Sequence, residues 1–120
     1  SISGIKEEWN KVTYYININA EEINHNESYS YYEVQFSLTS KGYGYLNDLV
    51  VRIIARAPEH GPNKYWDSKD VNIGTLKGGS CYPVTVVFKI PVGELTYFKA
   101  TLTGSNINNT VVKTGNFIAE

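Results

Sequence analysis

From Val12 onward, apolar residues recur at every second position, and no window carries a helical stripe. Val12, Tyr14, Ile16 and Ile18 alternate with Thr13, Tyr15, Asn17 and Asn19. A strand sends successive side chains to opposite faces, so this alternation predicts a strand with one buried and one polar side. The pattern is cleanest where Tyr32, Val34, Phe36 and Leu38 oppose Glu33, Gln35, Ser37 and Thr39. It returns through Leu49, Val51, Ile53 and Ala55, and more briefly through Val71, Ile73 and Leu76. Further strands are expected over Tyr82–Ile90, Phe98–Leu102 and Val112–Ile118, with a short edge strand at Ile2–Ile5. The side-chain inventory agrees. There are 31 β-branched residues (11 Val, 11 Ile, 9 Thr) against 11 Ala and Leu, and branched side chains suit a pleated surface better than a helix.

Seven or eight strands separated by turn clusters at intervals of about 8–12 residues predict an all-β fold, a β-sandwich or barrel. The connections are too short for parallel crossovers, so neighbours in sequence should run mostly antiparallel. If each connection reverses direction, the loops at 20–28, 58–68 and 91–94 gather at one end. Those at 40–48, 77–80 and 104–110 gather at the other. Gly42 and Gly44 offer the positive φ that a tight reversal needs, and Gly78-Gly79 reads as a two-residue hairpin turn. At 120 residues the expectation is one domain spanning 1–120.

Eleven basic and 12 acidic residues give a net charge of −1, which removes the electrostatic case for nucleic acid or an anionic membrane as partner. No run of eighteen apolar residues is present, so any membrane attachment would come from an anchor outside this chain. The chain opens on Ser1 and contains no Met, from which we expect a mature fragment or module of a larger exported protein. Cys81 is the one cysteine and has no internal partner; we expect a passive, partly buried thiol.

Two stretches resemble a known family. VQFSLTSKGYGYLNDLVVRII, over Val34–Ile54, couples an apolar strand to a Lys-Gly turn and a second Val/Ile-rich strand. DVNIGTLKGGSCYPVTVVFKIP, over Asp70–Pro91, is similar to its companion: a strand, a Gly turn and a long strand into Pro. Together they resemble CARDB, a cell-adhesion-related domain of bacterial and archaeal surface proteins, over roughly residues 30–103. Ser40 stands where that pattern carries Asn. The resemblance implies an all-β, immunoglobulin-like β-sandwich of seven to eight mostly antiparallel strands, serving adhesion, assembly or spacing. The soluble domains of archaellum stator components are similar in architecture, which implies surface-layer binding as one concrete version.

Catalytic chemistry finds little footing. His25 and His60 are the only histidines, with no His-x-His, Cys pair or Gly-x-Ser-x-Gly elbow. We therefore expect no enzyme activity, no cofactor and no dedicated metal site. Glu21, Glu22, Glu27, Glu59, Asp67 and Glu94 fall at one predicted end, and calcium takes such oxygens, but the spacing has no Asp-x-Asp regularity. Asn26-Glu27-Ser28 and Asn108-Asn109-Thr110 are candidate glycosylation sequons in predicted loops, which fits an extracytoplasmic, cell-surface or secreted chain.

Aromatics offer more. The segment APEHGPNKYWDS, Ala57–Ser68, ends in Tyr65-Trp66 and carries His60. Flat rings at a loop end suit a sugar face or a protein hot spot, while a Trp there equally serves as a plug on the core. Tyr43 and Tyr45 fall at the opposite end. Tyr15 and Tyr31, with Ile54, are expected on an outer sheet face as an apolar patch for self-association or a protein partner. Two readings follow. One is a non-catalytic module for adhesion, assembly or spacing; the other is a small-ligand or carbohydrate module using Tyr65, Trp66 and His60.

Overall fold

The computed structural model describes residues 11–120; the edge strand expected at Ile2–Ile5 lies outside them. β1 (Val12–His25), β2 (Tyr29–Gly42) and β5 (Cys81–Pro91) form one antiparallel sheet in the order β1-β2-β5. β3 (Tyr45–Arg56), β4 (Tyr65–Lys77), β6 (Leu95–Thr103) and β7 (Thr110–Lys113) form the second, in the order β4-β3-β6-β7. A two-residue strand, β8 (Phe117–Ile118), also pairs with β6. This is the expected all-β sandwich of antiparallel strands.

The period-two alternation is what closes the two sheets on each other. Val34, Phe36 and Leu38 of β2 and Phe88 and Ile90 of β5 are at most 1% exposed, as are Val51 and Ile53 of β3 and Phe98 and Leu102 of β6. Each such side chain contributes about 1.5–3 kcal/mol by leaving water. Four rings gather in one part of this core: Tyr32, Phe88, Phe98 and Phe117 stack in tilted contacts with centroids 5.4–6.0 Å apart.

Three expectations are corrected. The fourth strand begins at Tyr65, not near Val71, because its first half (YWDSKD) bonds through its backbone to β3 while its side chains carry charge. Gly78-Gly79 does not make a hairpin. β4 pairs with β3 and β5 with β2, so the turn carries the chain from one sheet to the other. In constant-type immunoglobulin domains the fourth strand stays with the first, second and fifth; here it has changed sheet. Lastly, Val112–Ile118 is interrupted at Thr114, whose hydroxyl accepts the Phe98 amide (3.0 Å) and whose amide donates to the Phe98 carbonyl (2.9 Å).

The predicted grouping of loops at two ends is seen directly in hydrogen bonds. At one end the Val92 amide donates to Ser28 (3.0 Å) and the Ala119 amide to Glu94 (3.0 Å). At the other, the Gly78 amide donates to Gly44 (2.8 Å) and the Ser105 amide to Asn47 (3.0 Å). Gly42 and Gly44 adopt φ of 104° and 96°, as their turn requires.

Candidate functional site

The aromatic end of the sandwich forms around a short 3₁₀ turn, Pro58–His60, between β3 and β4. Pro58 presets φ at the start of that turn. Its return is held by the Ala57 amide donating to the Lys64 carbonyl (3.0 Å) and by the Arg56 guanidinium donating to the Pro62 carbonyl. The buried Thr96 hydroxyl then ties β6 to this corner through the Arg56 carbonyl (2.8 Å). The segment is therefore braced on both sides before any functional side chain is considered.

His60 and Trp66 meet edge to face, with ring centroids 5.1 Å apart and planes at 75°. His60 Nε2 lies 3.0 Å from Glu94 Oε2, which joins this turn to the β5–β6 connection. Trp66 is only partly exposed and packs against the core; its indole nitrogen is shielded and finds no acceptor among the described residues. Its placement follows from the irregular register between Ala55 and Arg56, where β4 swings one residue out of step with β3. Tyr65, paired with Arg56, is 57% exposed and stands at a strand start, outside the loop proper. So His60 and Trp66 come together at the sandwich end with Trp66 as its plug, while Tyr65 and the half-exposed His60 present ring surface to solvent.

The two histidines do not meet. His25 Nδ1 lies 2.9 Å from Glu22 Oε1, a partner on its own strand, while His60 takes Glu94. These pairings separate two of the six carboxylates placed at this end, and no group of three metal-ligating side chains occurs among the described residues. Neither histidine has a hydroxyl or thiol hydrogen-bonded to it among those residues. Glu94 as the partner of His60 was not legible beforehand, because 34 residues of chain separate them.

The expected apolar patch divides into three. Tyr15 (57% exposed) pairs in register with Thr39, and Tyr31 sits eight residues from Thr39 along β2, which is about 26 Å of strand. Asn17, Asn19, Gln35 and Ser37 occupy the face between them, lining a shallow trough with Pro83 and Thr85. Ile54 lies on the other sheet altogether, between Ser68 and Lys99. Tyr29, neighbouring Tyr31, is covered by the Lys89 ammonium 3.9 Å from its ring centroid.

Cys81 is exposed, not partly buried, because it shares the outward register with Thr39. Of the sequons, Asn26 has its side-chain oxygen accepting two amides of its own turn, Ser28 and Tyr29, each at 2.8 Å. Asn108 is exposed in the β6–β7 loop. Nearby Asn106 braces that loop: its Oδ1 accepts the Asn47 amide (2.8 Å) and its Nδ2 donates to the Tyr45 carbonyl (2.9 Å). On the outer face of the second sheet, Arg52 grips Asp70 at 2.8 and 3.1 Å beside an open groove of about 400 Å³. The hydrogen bond from Arg52 holds the Asp70 carboxyl below the ordinary carboxylate value.

No family model matches the chain, and no curated protein matches it. Solved structures do. One is a calcium-binding mutant of Bacteroides uniformis β-glucuronidase 2, with a TM-score of 0.58 and 14% identity over 81% of this chain. The chain spans 13% of that protein's length. The ApaA protein of Bordetella pertussis aligns at a TM-score of 0.54 and 11% identity, covering 90% of this chain and 93% of the other. A further structural-genomics target aligns at 0.52 and 10% identity, covering 87% and 83%. At these identities the likeness is one of fold: a β-sandwich, found both as a small part of a large protein and as nearly all of a short one.

Proposed function

We propose that this chain is a non-catalytic, extracytoplasmic interaction module that serves adhesion, assembly or spacing within a larger exported protein. One observation carries this reading. The residues with chemical potential at the aromatic end are engaged in closing the sandwich: His60 with Glu94 and Trp66, and Trp66 with the core. A carbohydrate platform needs an indole face open to solvent, whereas Trp66 is only partly exposed and the open rings beside it are those of Tyr65 and the half-exposed His60. The CARDB-like turn pattern and the sequons support the exported setting, and self-association or a protein partner is the mode of action that suits it.

Turnover and retention assays test the reading. The chain is incubated with chromogenic glycosides, esters and phosphoesters, and run through gels containing polysaccharides. The module reading expects no turnover and no retardation. Saturable turnover abolished by His60→Ala or Glu94→Gln overturns it, and retardation lost in Tyr65→Ala moves the chain to the carbohydrate class.

A further inference from the structure

A sandwich of two open sheets has strand edges, and each exposes backbone donors and acceptors that another strand can pair with. Here the edges are treated unequally. β5 carries Pro83 and Pro91 with Lys89 between them, and proline withholds a donor while lysine discourages approach. β4 carries Asp67, Lys69, Asp70 and Lys77 and breaks register with β3 at both ends. β7 is four residues long. β1 differs from all three. It runs 14 residues, has no proline, keeps unbroken register from Val12 to Glu22, and holds no charge from Val12 to Ala20. Among the described residues no strand covers its outer edge. Val12, Tyr14 and Ile16, on its inward face, stay partly exposed there.

We propose that the β1 edge is a self-association surface, and that its occupant is β1 of a second copy of this chain, paired antiparallel about Ile16. Side chains opposite one another in an antiparallel pair share a face. Centring the pair on Ile16 sets Tyr14 against Ile18 and Val12 against Ala20 on the inward face. Thr13 then meets Asn19, and Tyr15 meets Asn17, on the outward face. The same register brings Lys11 opposite Glu21 at both ends of the pair, and no other antiparallel register does so. Lys11 continues alongside β2, its carbonyl accepting the Tyr43 amide at 2.9 Å. The result is a six-stranded sheet, β5-β2-β1-β1-β2-β5, across a two-fold axis, the isologous arrangement that closes at a dimer. The inference rests on the strand edges and gives the module reading a partner. Absence of dimers and presence of turnover would be separate results, so the two can fail independently.

Sedimentation velocity over a concentration series up to about 1 mM, the weak limit of measurable association, is expected to show a reversible monomer–dimer equilibrium. Lys11 and Glu21 are exposed, so their substitution leaves the fold intact. Lys11→Glu alone and Glu21→Lys alone should each weaken dimerisation about tenfold, because two like-charged cross-strand pairs replace two attractive ones. The double variant should restore it. In a Cys81→Ser background, Ile16→Cys should oxidise to a covalent dimer and Asn19→Cys should not, since position 19 of each copy lies about 20 Å from its counterpart. A monomer at all concentrations overturns the proposal and leaves the edge for a strand of another protein. A dimer indifferent to the charge exchange, or cross-linked equally through both cysteines, also overturns it.

Discussion

The turn that carries the chain from β4 to β5 is where the closure of the sandwich is most exposed to a single methyl group. A Cβ on Gly78 would lie 2.3 Å from the Gly42 carbonyl oxygen and 2.9 Å from its carbon, both backbone atoms, whereas ordinary contact begins at 3.4 Å. Gly78→Ala must therefore part the β2–β3 and β4–β5 turns by about 1 Å. Three bonds span that gap: the Gly78 amide to Gly44 (2.8 Å), the Gly79 amide to Ser40 (2.9 Å), and the buried Ser40 hydroxyl to the Lys77 carbonyl (2.9 Å). Losing two or three of them at about 1 kcal/mol each gives about 2–3 kcal/mol. Gly79→Ala supplies the control. It meets no atom within 4 Å, so its cost is only that of φ +85°, about 1 kcal/mol. With an unfolding entropy of about 2.1 cal/mol/K per residue, 1 kcal/mol is about 4 °C for a chain this long. Thermal scans by circular dichroism should then fall by about 8–12 °C for Gly78→Ala and about 4 °C for Gly79→Ala, with urea midpoints in the same order. Equal losses, or a larger loss at Gly79, would refute the steric account.

The remaining predictions concern the aromatic end. Burial, chiefly, raises the Tyr32 phenol above its ordinary value of 10.0. The unfolded chain thus releases that proton first, and stability that is full below about pH 10 declines as pH rises further; Tyr32→Phe should flatten this decline in urea titrations from about pH 9 to about pH 11. Equal slopes in the two proteins would show that Tyr32 is not responsible. Trp66→Ala should cost about 2 kcal/mol, less than a fully buried indole, while Tyr65→Ala stays within about 0.5 kcal/mol; the reverse order would make Trp66 a contact residue and not a plug. Asn26→Ala, which strips two amides of their acceptor in the β1–β2 turn, should cost about 1 kcal/mol in denaturant unfolding, and an unchanged midpoint would mean water replaces the side chain without loss.

Strand placement was legible wherever one face of a strand is buried, because burial writes itself as alternation. Val34, Phe36 and Leu38, and their counterparts Phe98, Ala100 and Leu102, all lie inward as their spacing implied. The two ends were legible for the same reason, since antiparallel neighbours leave only one arrangement of loops. Sheet membership was not. Whether β4 turns back on β5 or leaves for β3 depends on which backbone groups Gly78 can approach, and its approach to the Gly42 carbonyl is set by the absence of a side chain at Gly78. The charged start of β4 misled for a related reason. Residues Asp67–Asp70 sit at a sheet edge, where backbone pairing continues without an apolar face to report it.

The candidate site was harder, because a plug and a binding loop draw on the same residues. Proline, histidine, tyrosine and tryptophan stiffen a sandwich end as readily as they line a contact surface. What separates the two is whether the histidine finds a partner from another loop, and Glu94 is such a partner only after five strands have been placed. The strand edges follow a different logic. Pro83, Lys89 and Pro91 are visible in the sequence, as is the uncharged run from Val12 to Ala20. Neither carries meaning until the sheet order puts both strands at an edge. Once it does, the guards on β5 show what an edge kept from pairing looks like in this chain, and their absence from β1 is what the proposed self-association rests on. Local pattern thus reports which side chains are buried, and global order decides which exposed backbone is available to a partner.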